Sequence, residues 1–112
     1  MNESLDPKLD QAFAALSDPT RRAILRQLAR GEASVGEIAL HHPISQPAIS
    51  RHLKVLEEAG LVETVRSAQA RPRRLRPDGM VRAQRFLDEM AAYWPDRFDR
   101  LGQFLEQERD HK

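Results

Sequence analysis

The sequence predicts a mainly α-helical fold with one small β-hairpin, and three observations lead there. Helix-start signals recur at Asp6-Pro7, Asp18-Pro19, Ser34-Val35-Gly36-Glu37 and Ser45-Gln46-Pro47. A glycine, Gly60, stands where the fourth helix should close. Beyond it the apolar period changes to that of short strands and then becomes helical again.

Asp6-Pro7 opens a first helix whose apolar residues Leu9, Phe13 and Leu16 repeat near helical spacing. Ser17-Asp18-Pro19 interrupts it. Asp18 can cap the next helix with its side-chain oxygen, and Pro19 suits the first helical position because the N–H it lacks would have had no intrahelical acceptor. Ile24, Leu25 and Leu28 form the buried stripe of this second helix, and Gly31 ends it.

Ser34 to Glu37 reads as a capping box, each side chain bonding the other residue's backbone N–H. Val35, Ile38 and Ala39 face inward on the short helix that follows, and His42-Pro43 halts it because a residue before proline avoids helical dihedrals. Ser45 caps a fourth helix running to about Ala59, closed by Gly60. Ile49, Leu53 and Leu56 share one of its faces, while Gln46, Ser50, Arg51, Lys54 and Glu57 project elsewhere.

Two strands follow, within Leu61 to Arg66 and Arg73 to Arg76, with Ser67 to Pro72 as the turn between them. Pro72 is restricted to a strand start or an edge. Pro77-Asp78-Gly79 introduces a last helical region containing Met80, Val81, Phe86, Leu87 and Met90, then Trp94, Phe98, Leu101, Phe104 and Leu105. Pro95 predicts a kink there or two abutting helices. The whole chain of 112 residues is the size of one domain. It divides into a helix-turn-helix at about 34–60, a wing at 61–76 and terminal helices at 79–108. This order is that of a winged helix-turn-helix: α1-α2-α3-α4, β-hairpin, then α5 with a further helix if Pro95 splits it.

The formal net charge of +1 hides a strong division along the chain. Residues 1–20 carry net −3, residues 21–76 net +6 from eleven Lys/Arg against five acids, and residues 77–112 net −2. A basic middle with acidic flanks suits a polyanion held at one face. Zero cysteines exclude disulfides, thiolate metal sites and cysteine nucleophiles. The acidic, polar start of the chain is unlike a secretory signal, and no apolar run reaches the ~18 residues of a membrane span, so a cytoplasmic protein is expected. No Gly-rich phosphate loop, nucleophile elbow or cluster of His and carboxylates at ligand spacing points to an enzyme or to a cofactor.

In a helix-turn-helix the second helix enters the major groove with its N-terminal residues near base edges. Ser45, Gln46, Pro47, Ala48 and Ser50 are short or amide-bearing, which permits that close approach. Gln46 can pair in bidentate fashion with the N6/N7 edge of adenine and Arg51 with O6/N7 of guanine, while Pro47 or Ala48 can meet a thymine methyl. Arg51 and Lys54 lie further along, where phosphate is the other available partner. The hairpin adds Arg66, Arg71, Arg73, Arg74 and Arg76, guanidinium groups suited to phosphates or to a narrow minor groove. Arg21 and Arg22, near a helix N-terminus, are further phosphate candidates, with surface solvation or internal ion pairing as the alternative for them and for Arg76. The expected partner is a double-stranded DNA operator, read by a homodimer because one module of this size buries little DNA surface.

The segments ALSDPTRRAILRQLARG, SVGEIA and SQPAISRHLKVLEEAGLV, followed by the Arg-rich hairpin, resemble the ArsR family of dimeric winged-helix repressors over roughly residues 9–76. The resemblance implies binding to an operator and dimerisation through the terminal helices. In this chain Leu9, Phe13 and Leu16 with Trp94, Phe98, Leu101 and Leu105 would form that seam. It also implies what is missing. Where the arsenic- and cadmium-sensing members place cysteines in the third helix this chain has Ser34 and Gly36, and the Asp, His and Glu set of the zinc sensors finds no histidine between residues 78 and 110.

No metal site is therefore expected, and the terminal part resembles the branch lacking one. His41-His42 diverge around a helix and show no third ligand, and His52 on the fourth helix suits a hydrogen bond or a core edge better than a metal. Core or interface packing suits Tyr93 and Trp94 better than a ligand pocket. Two alternatives remain for the function: a metal-responsive repressor with a non-standard His/carboxylate site, and a winged helix that binds protein. The effector, small molecule or protein, is not identified by the sequence.

Overall fold

The structure, a computed structural model, describes residues 6–93 and 102–108. Its elements are α1 (Pro7–Leu16), α2 (Pro19–Leu28), α3 (Val35–Ala39), α4 (Gln46–Glu58), β1 (Val62–Thr64), β2 (Arg73–Leu75) and α5 (Pro77–Tyr93), and residues 102–108 are also helical. Among the described residues no helix is long and apolar enough to cross a membrane.

Each expected helix start is built as its residues dictate. Asp6 Oδ1 accepts from the Leu9 N–H at 3.1 Å, Asp18 Oδ2 from Arg21 N–H at 3.0 Å, and Ser45 Oγ from Ala48 N–H at 3.3 Å. Prolines occupy the first turns of α1, α2 and α4, where an N–H has no helical acceptor to lose. The α3 capping box is reciprocal, with Glu37 N–H donating to Ser34 Oγ at 3.2 Å and Ser34 N–H to Glu37 Oε1 at 2.8 Å. A five-residue helix cannot sustain itself, so this cap and the burial of Ile38 hold α3 in place.

Ile24, Ile38, Ile49, Leu53, Leu56, Leu61 and Val62 form the fully buried centre, so α2, α3, α4 and β1 each contribute to one core. The first helix enters it differently from the expected apolar repeat. Ala12 and Ala15 are its buried residues, while Leu9, Phe13 and Leu16 are only half-buried. Alanines on the inner side let α1 lie close to α2, α4 and α5, which leaves the bulkier residues at the margin. There Phe13 meets Phe86 of α5 edge to face, with centroids 5.9 Å apart and planes at 78°.

The hairpin is antiparallel, pairing Val62 with Leu75, Glu63 with Arg74 and Thr64 with Arg73. A two-stranded ribbon is marginal alone. Here it has a third member, because Ala33, ahead of α3, exchanges backbone hydrogen bonds with Arg73 at 3.1 and 2.8 Å. Pro72 stands just before β2, as its missing N–H requires, and its carbonyl accepts from Val65 N–H at 2.8 Å.

Gly60 closes α4 with a φ of +75°. Its N–H bonds Glu57 O at 3.0 Å and Leu61 N–H bonds Leu56 O at 2.9 Å, the pair of contacts that defines a Schellman ending. Against this ending sits the start of α5, which begins at Pro77, two residues before the expected start at 79. Gly79 lies within the first turn, and its N–H donates to Gly60 O at 2.9 Å. A Cβ on Gly79 would fall 2.3 Å from the Ala59 carbonyl oxygen and 3.0 Å from Leu61 Cδ2. Glycine is there for close approach, not to break the helix. Pro95, and with it the expected kink, lies outside the described residues.

Two predictions follow from these contacts. Gly79→Ala forces backbone apart at the α4–α5 junction and should lower stability by about 3 kcal/mol, in the range of overpacked cores, as read by denaturant unfolding. A midpoint equal to that of the unsubstituted chain would refute the close approach. Acid should destabilise in two windows. Burial, with His41 nearby, holds the His42 imidazole below its ordinary 6.5, so the stability tied to its neutral form is complete above pH 6.5 and declines as pH falls through that value. Asp18 lies below 3.8 chiefly through the Arg21 N–H, and Glu37 below 4.5 through the Ser34 N–H and hydroxyl. Their capping is therefore complete above those values and lost at still lower pH. Thermal unfolding of Glu37→Gln, which does not titrate, should show a smaller loss in the lower window.

Candidate nucleic-acid interface

The buried residues of α4 fix what its other side presents. With Ile49, Leu53 and Leu56 turned into the core, Gln46, Pro47, Ser50, Arg51 and Lys54 are exposed, and at ~100° per residue they span an arc of about 140°. Ala48 is half-buried at the margin of this arc. The side chains of Gln46, Ser50, Arg51 and Lys54 make no hydrogen bond or ion pair with the protein among the described residues. Ser45 differs, since its hydroxyl is occupied by the Ala48 N–H and so shapes the helix end.

The arginines expected at the interface separate into two groups. Arg66 and Arg71 are exposed on the connection between the strands, and their guanidinium groups are unengaged among the described residues. Arg71 has a φ of +47°, a left-handed conformation that costs an L-residue roughly 1–2 kcal/mol. Its N–H bonds Ala68 O at 3.0 Å, which turns the tip of the wing.

Arg73 points back to α4. Its Nε lies 3.0 Å from Glu57 Oε1, the same oxygen that accepts from Thr64 Oγ at 2.6 Å. Arg74 Nε donates to Glu63 Oε2 at 2.6 Å, directly across the hairpin, and its Nη1 is 3.7 Å from Glu32. These carboxylates, Glu63 foremost, raise the Arg74 guanidinium above its ordinary value. Arg76 pairs with Asp78 at 3.0 Å. Glu57 was not singled out by the sequence as an anchor of the wing; its position at the inner edge of α4, opposite an Arg in a strand, was the available signal.

Arg21 and Arg22 also face inward. Arg21 donates from Nε to Ala15 O at 2.9 Å and from Nη2 to Ala14 O at 3.0 Å, and Arg22 donates from Nη1 to Leu16 O at 2.8 Å. The Ala15 and Leu16 carbonyls lie at the end of α1, where no further helical N–H exists to satisfy them, while Ala14 O also accepts from the Ser17 N–H at 3.2 Å and hydroxyl at 2.6 Å.

Of the seam residues, Leu9, Phe13 and Leu16 are half-buried, and Leu105 is exposed, while Trp94, Phe98 and Leu101 lie outside the described residues. Tyr93 is exposed at the end of α5. Ser34 is engaged in its cap, and His42 Nε2 is 3.1 Å from Gln27 Oε1. Among the described residues no group of three or more His, Cys, Asp or Glu is placed to hold a metal ion.

A helix with one buried and one unengaged polar face, set beside an arginine-tipped hairpin, defines a winged helix-turn-helix protein of the DNA-binding kind. Residues 18–64 match the model of the bacterial regulatory proteins of the arsR family. The chain is 40% identical over 101 residues to HTH-type transcriptional regulator Rv2034 of Mycobacterium tuberculosis, covering 90% of this chain and 92% of that protein. It is 44% identical over 61 residues to the transcriptional repressor SdpR of Bacillus subtilis, covering 54% and 68% respectively.

Among solved structures, the ArsR-like transcriptional regulator from Rhodococcus sp. RHA1 superimposes with a TM-score of 0.74 at 35% identity, over 89% of this chain and 92% of that one. The homodimeric winged helix-turn-helix DNA-binding domain of a Mycobacterium bovis protein does so with a TM-score of 0.59 at 27% identity, over 77% and 82%. The chain belongs to the ArsR family of bacterial transcriptional regulators.

The division of the arginines predicts opposite signatures for two substitutions. Arg71→Gly removes an unengaged cation and the left-handed penalty together. Its salt slope of DNA binding should fall by about one, with folding stability equal or higher. Arg73→Ala leaves Glu57 without its cation and should lower stability by about 1–2 kcal/mol, in proportion to a partly exposed charge-assisted bond, while changing the salt slope less. Paired denaturation and salt titrations distinguish these patterns, and identical behaviour of the two variants would contradict the division.

Proposed function

We propose that the chain is a homodimeric transcriptional repressor that binds an inverted-repeat operator through α4 and the wing. The observation that carries this reading is the unengaged outer face of α4, with Gln46, Ser50, Arg51 and Lys54 side by side, next to unengaged Arg66 and Arg71. Gln46 is assigned to an adenine edge and Pro47 and Ala48 to thymine methyls, with Ser45 setting the helix end. Arg51 and Lys54 grip a guanine edge or phosphate, and Arg66 and Arg71 follow the backbone beyond. Arg73 and Arg74 serve the same surface indirectly, by holding the wing against α4 and across its own strands.

Two such units read half-sites about one helical turn, roughly 34 Å, apart. Leu9, Phe13 and Leu16 of α1 are assigned to the seam with Trp94, Phe98, Leu101 and Leu105 of the terminal helices. The half-exposed Phe86 and more exposed Leu87 of α5 support apolar contact beside α1. The homodimeric Mycobacterium bovis domain and the repressor from Bacillus subtilis support the same assembly and sign of regulation.

Titration with duplexes selected by the chain from a random-sequence pool tests the reading. Affinity should fall steeply between about 50 and 200 mM salt through counterion release. Gln46→Ala should lose about 1–3 kcal/mol on the selected duplex and relax preference at one base position. Binding that ignores salt, or a Gln46→Ala variant with unchanged preference, would overturn the assignment and favour a protein-binding winged helix.

A further inference from the structure

His52 lies on α4 but outside the arc presented to DNA, and its ring is turned toward the start of α2. Arg21 Nη1 is 3.3 Å from His52 Nδ1, and Asp18 Oδ2 is 4.0 Å from the same nitrogen. A guanidinium has donors and no acceptor, so the Arg21 contact is a hydrogen bond only when Nδ1 offers a lone pair. The ring is then neutral with its proton on Nε2. That second nitrogen has no protein partner, yet no buried side-chain nitrogen or oxygen among the described residues is unsatisfied, so Nε2 reaches solvent.

Arg21 is itself fixed. Its other two nitrogens hold the Ala14 and Ala15 carbonyls at the end of α1, and its backbone N–H is capped by Asp18. One guanidinium thus joins the end of α1, the start of α2 and the middle of α4. Arg73 and Glu57 tie α4 to the wing near its other end.

We propose that His52 is a positioning residue for operator reading, whose neutral ring, by accepting from Arg21, anchors the recognition helix to the α1–α2 corner. This rests on the operator-binding function proposed above. Asp18, the cap of α2, and Arg21 of α2 are the charged groups beside the ring among the described residues, and Asp18 Oδ2 is engaged with the Arg21 N–H, so Arg21 is the partner that ties α4 to this corner.

The test compares the full chain with His52→Asn, whose amide oxygen replaces the Nδ1 acceptor without titrating, and His52→Leu, which has no acceptor. The probes are the duplex selected from a random pool and an unrelated duplex. Near pH 8, His52→Asn should keep operator affinity close to that of the unsubstituted chain, while His52→Leu should lose about tenfold, the size of one charge-assisted hydrogen bond. The loss should fall on the ratio of specific to non-specific affinity and leave the salt slope unchanged, because no phosphate contact is removed.

A His52→Leu chain with undiminished specificity overturns the proposal. So does a fall of about one in its salt slope, which would make His52 a phosphate contact, and so does a His52→Asn chain that loses as much specificity as His52→Leu. If His52→Leu does not fold, His52→Ala, which also lacks an acceptor and adds no bulk, takes its place with the same expected loss. Absence of salt-dependent DNA binding by the unsubstituted chain overturns the operator-binding function itself, a result distinct from all of these.

Discussion

The rest of the structure depends on the contact between the end of α4 and the first turn of α5. Gly60 ends α4 in a left-handed conformation, and Gly79 approaches so closely that its N–H reaches the Gly60 carbonyl. No side chain fits between them. The consequence is mechanical. α4 and the helix that leads to the C-terminal segments are joined through backbone, with no flexible side chain between them to absorb movement. Leu61 and Val62, buried immediately after Gly60, carry the chain from this junction into the hairpin, so the junction orients both parts of the proposed interface.

Around that junction, charge is distributed by task. Much of the basic middle of the chain is used internally. Arg21 and Arg22 satisfy the carbonyls at the end of α1, Arg73 fastens the wing to α4, and Arg74 is held by Glu63 and Glu32. Net positive charge along a segment is therefore a poor measure of what is available to a polyanion. Among the described residues, the cations without protein partners at the proposed interface are Arg51, Lys54, Arg66 and Arg71, and they lie on the outward face of α4 and the connection between the strands. The hydrogen bonds of Arg21 and Arg22 and the ion pairs of Arg73 and Arg74 rigidify the scaffold that presents these four.

Membership of the ArsR family agrees with this geometry. Ser34, which stands where the arsenic- and cadmium-sensing members place a cysteine, has a structural role of its own: it is one half of the cap without which a helix as short as α3 would not persist. At His52 a side chain of α4 turns to the start of α2, where Arg21 Nη1 lies 3.3 Å from its Nδ1.

The sequence by itself determined the succession of elements, because caps, prolines and apolar spacing act over three or four residues and are complete within each segment. Asp18, Ser34, Ser45 and Gly60 each perform the role their neighbours imply. The outward arc of α4 was legible for the same reason, since burying Ile49, Leu53 and Leu56 leaves only one face free. Tertiary structure alone decided which arginines are engaged, that Ala12 and Ala15 rather than Leu9, Phe13 and Leu16 enter the core, that Ala33 joins the hairpin, and that Gly79 touches the end of α4. Each of these depends on atoms brought together from distant parts of the chain. A local pattern gives an arginine its charge, but only the fold determines whether a carboxylate or carbonyl reaches it first.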